Sequence, residues 1–376
     1  MTASYRALFC DLRTDQVLDS LPISGVSFED YIGKTGTLSG TLAAPDRGTA
    51  DRIRAAVVPG RTMVWIERDG VIWWGGIAWT VTVSSTGRGA PAKAEIQAAT
   101  LDSYLDHRLL TSDFTATEVE QFEIARRLVG YAQASVGGDI GIRLSQGTSG
   151  VTRTRKYSRY DLPKIRDLLD QLAAVQNGFE WRIRCYRNDT GERIKELQIG
   201  HPRITSSRGP AETILDYPGP VTAYSFPYDA TVRATHWQSR GATSASSNRP
   251  LMSKLLQVTG AIEAGWPRLD GTSDYTSVSS APVLDAHAAA DLQEAAIRAV
   301  VPEITVDLEA ARLTPAILGT TIRLRIADVW SPTGFAGRYR VIGITVRAAD
   351  RGQAETATLL LDAATGSADL APAEED

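Results

Sequence analysis

The sequence predicts a mainly β chain with an α+β module in its middle, and three observations predict it. Short segments near both ends alternate apolar and polar residues with the period of two that a half-buried strand requires. Between about residues 111 and 178 the apolar spacing lengthens to three and four, the period of a helix face. Prolines and glycines then crowd the stretch from His201 to Pro220, where neither period survives.

In the first part, residues 1–108, Tyr5 to Leu12 reads as a strand, and Thr37 to Leu42 puts Leu38, Gly40 and Leu42 on one face. Thr62 to Arg68 alternates Met63 and Trp65 against Val64 and Ile66. Asp69 and Gly70 then supply the positive backbone angles of a two-residue hairpin turn. The return strand carries Trp73 and Trp74, breaks at Gly75 and Gly76, and resumes as Ile77 to Val83. Paired glycines in a strand mark a bulge or a close backbone approach, so a long bent hairpin in a barrel or curled sheet is expected.

The middle module, residues 109–208, opens with a capping box in which Thr117 is the N-cap and Glu120 reaches back to it. Phe122, Ala125, Leu128, Val129 and Ala132 follow at helical spacing. A second helix begins at Pro163 and buries Ile165, Leu168, Leu169, Leu172 and Val175 before Asn177-Gly178 stops it. Strands are expected at Phe179–Tyr186 and Ile194–Ile199.

In the last part, residues 209–365, Val221 to Ser239 is strand material. An insertion from about residue 240 to 300 holds a polar loop, Gly241 to Pro250, and a helix capped by Asp285 that runs to Val300, with Leu292, Ala296, Ala299 and Val300 inward. Ile304, Val306 and Leu308 alternate with polar neighbours, as do Ile322, Leu324 and Ile326 against Thr321, Arg323 and Arg325. Arg338–Ala348 and Glu355–Leu361 complete the set, joined by Asp350-Arg351-Gly352. Residues 366–376 form an acidic tail expected to be disordered.

A length of 376 residues exceeds one ordinary core, and 43% hydrophobic with 22% charged residues is a globular composition. The formal charge of -4 argues against a chain built to grip nucleic acid, while leaving room for DNA to pass beside a wall that does not bind it. No basic-then-apolar leader opens the sequence, and no apolar run reaches the ~18 residues of a membrane span. Synthesis in a cytoplasm, without membrane insertion through this sequence, is the expectation.

The search for chemistry finds no catalytic, cofactor or metal site. Cys10 and Cys185 stand far apart, outside any CxxC pair, and read as small hydrophobes. His107, His201, His236 and His287 are too dispersed for a zinc pair, and His287 reads as solvated or capping. Glu180 beside Trp181, and Glu263 near Trp266, are the carboxylates a glycosidase would recruit; each reads more simply as an exposed acid. The run Arg153, Arg155, Lys156 and Arg159, with Tyr157 and Tyr160, reads as a solvated loop or subunit contact before a phosphate site. Trp65, Trp73, Trp74 and Trp79 cluster about the hairpin. In a regular strand Trp73 and Trp74 point to opposite faces, so one fills a core and the other meets a second surface, expected to be protein.

The hairpin Ile66–Ile77, with Asp69, Gly70, Trp73, Trp74, Gly75 and Gly76 as its signature, resembles the first β domain of bacteriophage tail baseplate hub and minor tail proteins. The segment YDLPKIRDLLDQLAAVQNGFEWRI is similar to the helical module that comes after that domain in siphophage hubs, and the C-terminal order of alanine-rich helix, strand, Leu318-Gly319 turn and three strands matches as well. The resemblance implies two tail-tube-like β-barrel domains flanking the helical module. It implies a homotrimeric hub at the distal end of a phage tail, in which two domains from each of three chains match a hexameric tube. Tail tube and distal tail proteins would lie above, central fibre or tip proteins below, and genome DNA would leave through the lumen. No hydrolase or long fibre domain is expected after Leu361. The alternatives are another tail-tip component, such as a distal tail ring subunit, or a receptor- or carbohydrate-binding module that uses the tryptophans.

Overall fold

The computed structural model describes residues 3–87, 90–205, 213–227, 230–244, 246–297, 302–350, 352–363 and 370–372. The N-terminal part is β1 (Tyr5–Asp11), β2 (Val17–Pro22), β3 (Ser24–Tyr31), β4 (Thr37–Ala44), α1 (Arg47–Ala56), β5 (Thr62–Arg68), β6 (Val71–Ser84) and β7 (Ala92–Thr100). Its strands pair antiparallel in the order β3-β4-β7-β6-β5-β1-β2. The Asp69-Gly70 turn has φ of 49° and 81°, as a turn with two left-handed residues requires. β4 alternates as expected, with Leu38, Gly40, Leu42 and Ala44 inward.

The middle part is β8 (Phe114–Glu120), α2 (Gln121–Ala134), β9 (Ile142–Leu144), β10 (Thr152–Tyr157), α3 (Ile165–Ala173), β11 (Glu180–Arg187) and β12 (Arg193–Gly200). The first helix starts later than its capping box suggests. Thr117 lies in β8, which pairs with β10 on either side of an irregularity where Glu118 is left-handed (φ 53°), and the cap is Glu120, whose carboxylate accepts from the Glu123 amide at 3.0 Å. Pro163 stands just ahead of α3, and Val175 is buried beyond its end.

The C-terminal part is β13 (Thr213–Tyr217), β14 (Val221–Ser225), β15 (His236–Thr243), β16 (Pro250–Met252), β17 (Leu256–Val258), β18 (Asp270–Asp274), α4 (Ala281–Ile297), β19 (Glu303–Asp307), α5 (Leu308–Ala311), β20 (Thr321–Ile326), β21 (Phe335–Arg347), β22 (Thr356–Ala363) and β23 (Leu370–Pro372). Gly241 to Thr243 continue β15, where a loop was expected. Asp285 lies inside α4 and accepts the Lys254 amide at 2.9 Å, so it is no cap; Ala299 and Val300 fall outside the described residues. α4 begins at Ala281, ahead of the expected cap, and Ala295, one turn on from Leu292, is the buried residue while Ala296 is half-buried at the edge of the same face. The tail is not wholly unstructured: Leu370–Pro372 pair with β17, and residues 366–369 and 373–376 lie outside the described residues, as does Arg351.

The fold class is mainly β with a helix-bearing middle, but the two barrels are not closed. Among the described residues no pairing joins β2, β13 and β14 to one another. Instead one 13-stranded sheet runs through both ends of the chain. β21 makes the join. One of its edges pairs with β22 from Tyr339 to Arg347; the other is shared, first by β20 from Phe335 to Arg340 and then by β3 from Gly343 to Arg347. The ladder slips between Val341 and Gly343, a bulge that hands one partner over to the next. Phe9, Phe28, Val64 and Trp74 from one end and Ile304, Leu324, Ile344 and Leu359 from the other meet in a single core, so the sheet must curve around it.

Candidate assembly site

The signature hairpin is buried on both faces. Val64 and Ile66 join the core shared by the two ends, whereas Met63, Trp65, Ile72 and Ile77 face a second core built with α2, α3, β11 and β12. Trp73 and Trp74 do not part to opposite faces. Ile66 pairs with Trp74 and Glu67 with Ile72, which leaves Trp73 as an extra residue, and both rings enter the shared core. One inserted residue reverses the alternation that the expectation relied on. The indoles are anchored as well as packed: Trp65 donates to Asp15, Trp74 to the Glu29 carbonyl and Trp79 to Ser103, each at 2.9 Å. Gly75 and Gly76 mark a close approach: a Cβ on Gly75 would sit 2.7 Å from Cys185, and one on Gly76 only 2.1 Å from the Ala99 carbonyl oxygen.

Ion pairs dock the middle module onto the sheet. Arg182 meets Asp30 at 3.4 Å, Arg187 meets Glu67 at 2.6 Å, Arg193 meets Asp15 at 2.7 Å, and Arg166 binds Asp102. Toward the other half the polarity inverts, with Arg340 of β21 forked on Glu180 at 2.5 and 2.6 Å. Lys195 is buried and donates to the Leu12 and Ile140 carbonyls at 2.9 and 2.8 Å; burial pushes its pKa down. Burial likewise pushes the Asp30 carboxyl up, with Arg182 opposing. Such pairs add little net stability after desolvation, but each fixes register where it forms.

The same contacts reassign the acids and bases that chemistry would need. Glu180 is held by Arg340 and by the Ile204 amide at 2.8 Å, and Trp266 carries the Arg233 guanidinium 3.6 Å from its ring, with Glu263 exposed nearby. His287 is buried, not solvated or capping: its Nδ1 lies 2.9 Å from the Ala174 carbonyl and its ring stacks on Tyr275 at 4.0 Å, and burial lowers its pKa. His107 packs on Trp79, and His201 meets the Gly178 carbonyl at 2.8 Å. His236 lies beside the Thr235 hydroxyl at 3.1 Å. Cys10 is fully buried, its thiol pushed up to about 12, and Cys185 lies against Gly75. Among the described residues no three His, Cys, Asp or Glu side chains are placed to hold a metal, and no helix is long and apolar enough to cross a membrane.

The basic run is divided by the pleat of β10, not displayed as one patch on a loop. Arg153 turns in to Gln121 and the Gln176 carbonyl, Lys156 is exposed, and Arg159 lies over Tyr160.

The β20–β21 hairpin presents the arginine face that the alternation of β20 predicts, and at its tip a loop that the sequence did not single out. Arg323 and Arg338, paired across the strands, are exposed on the face away from the core. The connecting loop displays Val329 at 99% and Trp330 at 80% exposure. It is nonetheless well held. Asp328 accepts from the Tyr224 hydroxyl and from the Ser331 amide at 2.8 Å, Ala327 donates to the Tyr217 carbonyl at 3.0 Å, and Gly334 donates to Ser331 at 3.0 Å. A strip of half-buried rings, Tyr217, Tyr224, Phe226, Phe335 and Tyr339, supports its base with centroid spacings of 5.1 to 6.5 Å. A lone tryptophan in a short polar loop carries no periodic signal; the only hint is Asp328 three residues ahead of Ser331, the spacing of a side-chain-capped turn.

No family model matches the sequence, and no curated protein matches it. Solved structures do. A tail protein from Neisseria meningitidis is 9% identical, with a TM-score of 0.59 over 95% of this chain and 96% of its own. A prophage MuSo2 tail protein from Shewanella oneidensis is 10% identical, with a TM-score of 0.60 over 96% and 97%. The prophage tail protein gp18 from Listeria monocytogenes is 10% identical, with a TM-score of 0.53 over 96% and 95%. Over nearly its whole length, therefore, this chain has the fold of phage tail proteins.

Proposed function

We propose that the chain is a non-enzymatic structural protein of a phage tail, and that three copies form the hub at the distal end of the tail tube. The observation that carries this reading is the pairing of β3 with β21, which sets two β units side by side in one sheet within one chain. Three such chains offer six β units to a sixfold tube, and their formal charge of -4 each suits a passage that lets DNA slide by. In this reading the tube and distal tail proteins sit above, fibre or tip proteins below, and the protein is made in the host cytoplasm before it joins the virion. The exposed arginine face of β20–β21 would meet a neighbouring subunit.

The test is the solution mass of the purified chain, alone and mixed with the tail-tube protein. A species of three chains in either sample is the expected result. A monomer in both would overturn the hub. Loss of turbidity from purified cell walls on addition of the protein would overturn the non-enzymatic part.

A further inference from the structure

We propose that the Val329–Trp330 loop is a plug by which one copy of this chain docks on the next, Trp330 entering a socket beside Leu109 on the neighbour. The inference rests on the hub reading, and assigns the surfaces through which its copies meet.

Three features of the loop suit a plug. Its apolar side chains are almost wholly in water, at 99% and 80% exposure, and tryptophan is the side chain that most often dominates binding energy at an interface centre. The backbone beneath them is fixed by Asp328, Tyr224, Ser331 and the Ala327–Tyr217 hydrogen bond, so little ordering entropy is lost on docking. Its base continues into the aromatic strip of Tyr224, Phe226 and Phe335, which widens the apolar contact around the central ring.

The same chain carries a matching hollow. A depression of about 510 Å³ lies between the segment His107–Thr111 and the end of α2, and Leu109, Tyr131 and Ala134 form its apolar wall. Leu109 is 42% exposed and Val136, just past the wall, is fully exposed, which gives the hollow an apolar rim. Arg108 stands in the wall, its guanidinium held by the Ala132 carbonyl at 3.1 Å and by the Ser135 hydroxyl and lying 5.9 Å from the Tyr104 ring, so the hollow has a fixed polar side beside its apolar wall. Plug and socket belong to different parts of the molecule, the C-terminal β unit and the middle module, and neither is filled by a described residue of the same chain. A copy that gives one and receives one makes a head-to-tail contact, the kind that closes into a ring.

The experiment is oxidative cross-linking of the full chain carrying Val329→Cys with Val136→Cys, exposed positions beside plug and socket that leave Trp330 and Leu109 in place, beside each single variant. Cys10 is buried and Cys185 half-buried against Gly75, and the single variants control for both. Covalent species of two and three chains from the double variant, and none from either single variant, are expected. Double-variant cross-linking no greater than that of the singles, or cross-linking by Val329→Cys alone, would overturn the proposal. In parallel, Trp330→Ala should weaken self-association about tenfold or more with an unchanged melting temperature, and Trp330→Phe should retain most of it. If the trimer persists unchanged in Trp330→Ala, the plug is wrong and the hub stands. If the unaltered chain is monomeric with and without tube protein, both fall. Sedimentation of the unaltered chain with phosphatidylglycerol vesicles, lost in Trp330→Ala, would reassign the loop to a membrane and overturn the proposal.

Discussion

The hairpins β5–β6 and β20–β21 have strands of 7 and 14 residues and of 6 and 13 residues, and their surroundings are opposite. In the first, the shared core covers one face and the middle module the other, so Met63 through Ile66 are fully buried on both sides. In the second, Ile322, Leu324 and Ile326 of β20 and Val341, Ile344 and Val346 of β21 face the shared core; Arg323 and Arg325 look outward and the loop between the strands carries an exposed indole. The difference teaches that tryptophan content does not locate an assembly surface. What lies across the sheet decides whether a ring holds a fold together or is offered to a partner.

The largest effects that would break this comparison lie in the first hairpin. Trp74→Ala and Trp73→Ala should each cost about 3–5 kcal/mol in urea unfolding, since each empties the shared core. A cost below about 1 kcal/mol for Trp73→Ala would return that ring to the surface. Next comes the joint between the middle module and the second half. Arg340→Met leaves Glu180 half-buried with only the Ile204 amide to hold it, and should cost about 2–3 kcal/mol after solvent screening, most of it recovered by adding Glu180→Leu.

A pH effect sharpens how the insertion is held. Burial lowers the pKa of His287 in the folded chain, so the unfolded chain takes up the proton first. Stability from this group is therefore full above the ordinary histidine value near 6.5 and falls as pH drops below it. His287→Gln should flatten that part of the stability profile, read as melting temperature against pH; an unchanged slope would remove His287 as its source. The smallest effect is expected at the loop, where Trp330→Ala should change unfolding free energy by no more than about 0.5 kcal/mol.

Periodicity exposed much of the architecture. The Asp69-Gly70 turn, the inward row of β4, the apolar face of α3 and the alternation of β20 all follow from local spacing. What it did not expose were events that depend on a partner strand. The extra residue at Trp73 exists only relative to β5, and Thr117 lost its capping role to a pairing with a segment about 35 residues away. The union of β3 with β21 joins residues more than 300 apart, so two closed barrels were the natural expectation from each end read alone. Of the site, the glycines and tryptophans of the hairpin were visible but proved to be core. Trp330 was invisible because its meaning is its exposure.

The shared edge of β21 also has a mechanical consequence. Tyr31 to Ser27 are laced to Gly343 to Arg347 by pairs lying side by side along the strand axis. A pull along that axis loads these pairs together in shear, where a peeling force would break them one at a time. The two β units are thus continuous through one paired edge, and ion pairs tie the middle module to the same sheet. A push delivered at the tip of β20–β21 would displace the whole subunit.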